Sequence, residues 1–249
     1  MRKLYATGML AYSMPMRQFQ EKNVMCEHAY AIPQGNGFKF CLSCKATVPC
    51  DDEPAEPQQL VMPPKIFEIT ERLWTQRAPW PLISFELAKK YQWYFSFLGT
   101  TEYLIMPVLK NSEAIYYSAR IMNPDATKSK YLYPKGVKRS YWTSKDIFES
   151  NEVMICEGVA DAVYCSNLGD SVAILGSYYN GSLDNSLRGR SVYLVLDGDS
   201  AGIIASVRIC AQIRPIAKSV KVVVLPNKKD PTDLEVDELR SLIKGGTNG

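Results

Sequence analysis

Two acidic clusters carry the plainest chemistry in this sequence: Glu157-Gly158-Val159-Ala160-Asp161 and Asp197-Gly198-Asp199-Ser200-Ala201-Gly202. Each follows a short apolar run, 153–156 before the first and 192–196 before the second. Runs of this length, rich in β-branched residues, read as buried strands of a parallel sheet. The carboxylates therefore stand at strand C-terminal ends, where open α/β sheets place their ligands. Glu157 and Asp161, four residues apart, share one helical face, and Asp197 and Asp199, two apart, reach the same side of their loop. A third acidic element, Lys229-Asp230-Pro231-Thr232-Asp233, follows the apolar run 221–225. Carboxylates gathered in this way repel one another, and a divalent cation offsets the repulsion. Oxygen-only ligands favour Mg²⁺ or Mn²⁺ over zinc.

Other chemistries fit less well. A single cluster of this kind is commonly just a helix N-cap, but three clusters after three strands ask for more. An EF-hand loop from Asp197 fails because Arg208 stands where the bidentate Glu is needed. No phosphate-binding G-x-x-x-x-G-K-[ST] loop occurs, and the one histidine, His28, excludes a histidine-based triad beside the carboxylates.

The elements that position these groups follow from periodicity. Strands are expected at 152–156, 171–175, 191–196 and 219–225, with helices near 159–167, 200–213 and 233–244, an α/β unit with crossover helices. Upstream, the pattern predicts a helix over 66–77, a second helix capped by Ser84 and running to about Trp93, and strands at 103–109 and 114–120 joined around Asn111. The aromatic-dense stretch 91–97 reads as core. Residues 51–64, with four acids and four prolines, read as an extended linker. From Lys110 to Lys145, eight basic residues stand against two acids, interleaved with Tyr116, Tyr117, Tyr131, Tyr133, Tyr141 and Trp142. Basic groups neutralise phosphates and aromatic rings stack on bases, so this tract beside a carboxylate site points to nucleic acid.

The chain has 249 residues, a net charge of +3 and seven cysteines. No run of eighteen apolar residues occurs, so no membrane span is expected. Cys156, Cys165 and Cys210 fall in apolar segments and read as small core residues. At the N-terminus, Cys41-Leu42-Ser43-Cys44 lies thirteen residues after Cys26-Glu27-His28. A C-x₂-C on a turn offers two thiolates to one tetrahedral Zn²⁺, with Cys26 and His28 as the other pair and Cys50 as a substitute fourth ligand. The site would be structural.

The carboxylate motifs resemble the TOPRIM domain shared by DnaG-type primases, topoisomerases and some nucleases. The resemblance implies an acid/base or metal role for Glu157 and Mg²⁺ binding at Asp197 and Asp199. Asp161 and Asp230 match further acidic positions of the primase branch, where the last two acids usually stand two apart; here Asp230 and Asp233 are three apart. Ser129 to Gly136 (SKYLYPKG) resembles the KYL-P-G segment of the primase basic subdomain, and Arg120 resembles the arginine of its preceding strand. The cysteine-bearing segment resembles the zinc ribbon of DnaG-like and phage primases, although that family's first ligand pair usually has two intervening residues and this chain has one.

The resemblance implies a zinc ribbon at 20–50, the linker, a mixed α+β basic subdomain at 65–150 and a TOPRIM domain at 151–246. It implies a DNA primase making short RNA primers on single-stranded DNA from ribonucleoside triphosphates with Mg²⁺, Arg120, Lys130, Lys135 and Arg139 holding phosphates. A separate replicative helicase is the implied partner, and the bacterial cytoplasm the implied location, in a phage or plasmid setting. Two rivals remain: a metal-dependent nuclease using the same acids with water as nucleophile, and a zinc-dependent DNA-binding replication protein without catalysis.

Overall fold

The computed structural model describes residues 31–33, 38–41, 47–49, 59–123, 129–245 and 247–248. The chain divides into two compact units, Met1–Pro54 and Ala55–Gly249. In the first, β1 (Ala31–Pro33), β2 (Phe38–Cys41) and β3 (Thr47–Pro49) form an antiparallel sheet in chain order. Cys26, His28, Cys44 and Cys50 lie outside the described residues, and Cys41 is described only as the last residue of β2.

The second unit opens with β4 (Phe67–Glu68), α1 (Glu71–Arg77) and α2 (Phe85–Lys90), then β5 (Tyr94–Leu98), β6 (Thr101–Lys110), β7 (Glu113–Ile121) and β8 (Tyr131–Leu132). The five strands form one antiparallel sheet in chain order. The helix expected over 66–77 starts only at Glu71, because the Thr70 side chain accepts from the Leu73 amide and Phe67–Glu68 pair with β5 instead. Ser84 caps α2 as expected, accepting from Leu87 N at 3.2 Å. That helix stops at Lys90 rather than near Trp93. Gln92 adopts φ 57°, which reverses the chain and releases Tyr94–Leu98 into a strand. The β6–β7 hairpin turns on Asn111 and Ser112, with φ 49° and 67°, the paired positive values that a tight hairpin needs.

The remaining elements are β9 (Trp142–Thr143), β10 (Glu152–Cys156), α3 (Val159–Cys165), β11 (Asp170–Ala173), α4 (Asp184–Leu187), β12 (Ser191–Leu194), α5 (Ser200–Ile213), β13 (Ser219–Val222), a 3-10 turn (Pro231–Asp233), α6 (Val236–Gly245) and β14 (Thr247–Asn248). They build a six-stranded sheet ordered β14-β13-β12-β10-β11-β9. Its four central strands are parallel and the two edges antiparallel. Both faces are buried, as parallel sheets require. Val153, Ile155, Val172, Val192 and Leu194 point into one core, while Met154, Cys156, Ala173 and Tyr193 point into another. The second core also takes Phe95, Leu104 and Met106 from the antiparallel sheet, so the two sheets share one apolar interior. Cys156, Cys165 and Cys210 are buried free thiols, with Cys156 Sγ donating to Cys165 Sγ at 3.5 Å.

Candidate active site

The strand order sets the location. From β10 the chain crosses to β11 on one side, then to β12 on the other, so a topological switch point lies between β10 and β12. Glu157 leaves the C-terminal end of β10, and Asp197 and Asp199 follow β12, which places the first two motifs across that crevice. Asp161 enters from the first turn of α3. The Asp230 loop is fastened to the Asp197 loop by two backbone bonds: Gly198 N donates to Lys229 O at 2.8 Å, and Lys228 N donates to Gly198 O at 3.0 Å. A Cβ at Gly198 would stand 2.3 Å from Pro226 O, so only glycine admits this contact. Gly202 is held as tightly, since a Cβ there would meet Asp197 O at 2.1 Å.

Electrostatics show how closely the acids converge. Burial first, then Asp161, Asp230, Glu157 and Asp199, push the Asp197 carboxyl up to about 8. Asp161 is raised to about 7 by burial and by Asp230, with Thr232 opposing through hydrogen bonds, including its hydroxyl on Asp161 Oδ1 at 3.4 Å. Glu157 is raised by burial, Asp199 and Asp230. Asp230 is raised by burial and Asp233, while Lys130 and Arg120 pull it down. Two acids also have structural duties. Asp199 caps α5, accepting from Gly202 N at 2.8 Å, and Asp233 accepts from Asp230 N at 3.0 Å. Asp233 thus shapes its own turn.

The cations come from the antiparallel sheet and the loop after it. Arg120 on β7 lies between the rings of Trp80 and Tyr131, at 4.4 and 5.6 Å, and donates to the Tyr131 hydroxyl at 2.9 Å. Lys130 lies 5.7 Å from the Tyr131 ring. The charges of both reach Asp230. Arg139 stands over the Tyr133 ring and beside Gly176, whose amide donates to Glu157 O at 3.1 Å. Lys135 is exposed between β8 and β9, with nothing to tie it to the carboxylates. Sequence reasoning passed over Thr232, which braces Asp161, and Trp80, which holds Arg120. Their partners are 71 and 40 residues away in the chain, beyond the reach of any local motif.

A divalent cation fits this donor set chemically. Asp197 Oδ1 is buried and has no hydrogen-bond partner, and the charges that raise its carboxyl all come from other carboxylates. Among the described residues, no three acidic, histidine or cysteine groups form a ready cluster, so closing on an ion takes side-chain rotation.

Residues 154–234 match the family model described as Toprim-like. These residues form a Toprim-like domain. The fold extends further than that match. It is similar to the zinc-binding and RNA polymerase domains of the Aquifex aeolicus primase, with 18% identity, TM-score 0.56, and coverage of 67% of this chain and 54% of that one. It is similar to the RNA polymerase domain of Mycobacterium tuberculosis primase DnaG, with 19% identity, TM-score 0.56, and coverage of 71% and 75%. The primase fragment of the bacteriophage T7 primase-helicase protein aligns at 19% identity and TM-score 0.50 over 85% and 90%. The chain therefore spans about half of the Aquifex structure. No curated protein sequence matches it. The Toprim-like domain and the antiparallel sheet beside it together have the fold of primase catalytic domains.

Proposed function

We propose that this protein is a DNA primase that joins ribonucleotides on a single-stranded DNA template by Mg²⁺-dependent nucleotidyl transfer. The observation that carries the reading is the charge coupling among Glu157, Asp161, Asp197, Asp199 and Asp230, with Lys130 and Arg120 acting on Asp230 and Arg139 beside Gly176. An acid cluster alone would serve hydrolysis as well; cations whose charges reach the same acids suit a triphosphate and a template strand. Glu157, Asp197 and Asp199 would hold Mg²⁺ (or Mn²⁺). When bound, the ion neutralises triphosphate charge and stabilises charge developing at the transferred phosphoryl group. Glu157, whose carboxyl is raised by burial, Asp199 and Asp230, would accept the proton of the primer 3′-hydroxyl as that oxygen bonds the α-phosphorus of the nucleotide and pyrophosphate leaves. Asp161 and Asp230 keep the local field negative enough to retain the ion, and Thr232 fixes Asp161. Arg120, Lys130, Lys135 and Arg139 bind phosphates of template and nucleotide.

The zinc reading on Cys26, His28 or Cys50, Cys41 and Cys44 belongs to the same proposal; the Aquifex structure includes a zinc-binding domain by its own description. The T7 fragment comes from a primase-helicase protein, which supports a replicative helicase as partner. Among the described residues no helix is long and apolar enough to cross a membrane, consistent with work in a bacterial cytoplasm on phage or plasmid DNA.

Incubating the protein with single-stranded DNA, Mg²⁺ and labelled ribonucleotides, then resolving the products on a denaturing gel, tests the proposal. Short oligoribonucleotides that disappear in the Asp197→Asn protein are expected. Shortened DNA without new oligomers would make it a nuclease, and DNA binding indifferent to Mg²⁺ without product would make it a binding protein.

A further inference from the structure

The loop after β11 leaves the same end of the sheet as the carboxylates, and the structure holds it firmly. Leu175 adopts φ 57°, a value a non-glycine residue keeps only when its surroundings enforce it, and Gly176 follows at 130°, which glycine allows. The buried Tyr141 supplies that enforcement. Its hydroxyl oxygen accepts from Asn180 N at 2.5 Å and donates toward Tyr178 O at 3.4 Å, and its ring stacks on Tyr179 at 5.9 Å. Tyr179 is 2% exposed and donates to Asp184 Oδ1 at 2.7 Å. Asn180 Oδ1 accepts from Ser182 N.

Between these anchored residues one aromatic ring is left out. Tyr178 is 57% exposed: its carbonyl is held by Tyr141, whose hydroxyl also feels the Tyr178 phenol, but its ring stays open to solvent. Single exposed rings are ordinary on a protein surface, but one held open on a braced loop offers its face at little ordering cost, and its surroundings indicate to what. Gly176, two residues earlier, donates to the Glu157 carbonyl and packs under the Arg139 guanidinium. Two residues span at most about 7 Å of chain, which keeps the Tyr178 backbone close to both.

We propose that Tyr178 is a stacking platform for a nucleobase whose phosphate is held by Arg139, beside the acid site. This subsite rests on the nucleotidyl-transfer reading and adds a residue to it. A flat ring accepts any base, because every base has a π-face, and the braced loop spares the ordering cost at binding. The base belongs either to the template strand or to the incoming nucleotide.

Equilibrium binding to the full chain separates these. The probes are an end-labelled single-stranded DNA oligonucleotide, the same oligonucleotide with abasic sites, and a fluorescent ATP with Mg²⁺. Tyr178→Ala is expected to weaken one base-bearing probe about tenfold or more, while Tyr178→Phe stays within about twofold. Loss on the oligonucleotide assigns the template strand, and loss on ATP assigns the nucleotide. For a template-strand base, abasic sites should weaken the parent but not Tyr178→Ala. Equal affinity of parent and Tyr178→Ala for every probe would overturn the subsite and leave the primase reading standing. A parent that binds neither DNA nor ATP would overturn the primase reading and the subsite with it.

Discussion

Burial and neighbouring acids push the Asp197 and Asp161 carboxyls from an ordinary 3.8 to about 8 and about 7, so an ion held by Asp197, as proposed, would compete with a proton for the same oxygens. A carboxyl with a raised folded value binds its proton more tightly folded than unfolded. Its stabilisation is therefore complete below about pH 4 and is lost as pH rises toward 8. The metal-free protein should melt at a lower temperature at pH 8 than at pH 6, and Mg²⁺ should raise the midpoint more at pH 8, because the ion displaces those protons. A scanning calorimetry series at the two pH values checks both; a Mg²⁺ response that shrinks as pH rises would contradict the account. Asp197→Asn should melt higher than the parent without metal at pH 8 and lose most of its Mg²⁺ response. These acids were legible in the sequence because clusters of them follow three of the four expected strands, after 156, 196 and 225. Their brace was not: nothing in Thr232 announces a hydrogen bond to a residue 71 positions earlier.

Among the elements, the four parallel strands and α5 were readable because each strand carries or runs into a short apolar run, 153–156, 172–175, 192–196 and 222–225. β6 and β7 were readable for a similar reason, with Asn111 marking the turn. β5 was not, because its aromatic residues follow a well-capped helix without a break in hydrophobicity. Only the left-handed Gln92, an unremarkable residue by type, ends that helix. β4, β8 and β9 have two residues each, too short for any period to show. The loop carrying Asp230 depends on Gly198, so Gly198→Ala is expected to cost on the order of 1–3 kcal/mol, as forced overpacking does. Denaturant unfolding measures that cost. The displaced loop should also weaken Mg²⁺ binding, while Gly245→Ala, where no atom lies within 4 Å of a new Cβ, should leave Mg²⁺ binding unchanged.

At the scale of the molecule, the two sheets of the second unit bring opposite charges face to face: acids from the parallel sheet, cations from the antiparallel one. The sequence showed each set, and the shared core that aligns them appeared only in three dimensions. If Lys130 meets a template phosphate, Lys130→Ala should reduce the slope of log affinity against log salt for single-stranded DNA by about 0.7, one contact's worth. Arg120→Lys should not rescue Arg120→Ala, because an ammonium cannot reproduce a planar guanidinium between Trp80 and Tyr131. Elemental measurement on purified protein should find one zinc per chain, lost when Cys41 and Cys44 are both replaced by serine.

The most direct test of the central claim is a Mn²⁺ titration followed by electron paramagnetic resonance, with and without ribonucleoside triphosphate. The account predicts that the parent binds Mn²⁺ and binds it more tightly with triphosphate present, and that the Asp197→Asn, Asp199→Asn protein loses both effects while remaining folded. Equal Mn²⁺ binding by parent and variant would show that these carboxylates are not the metal site.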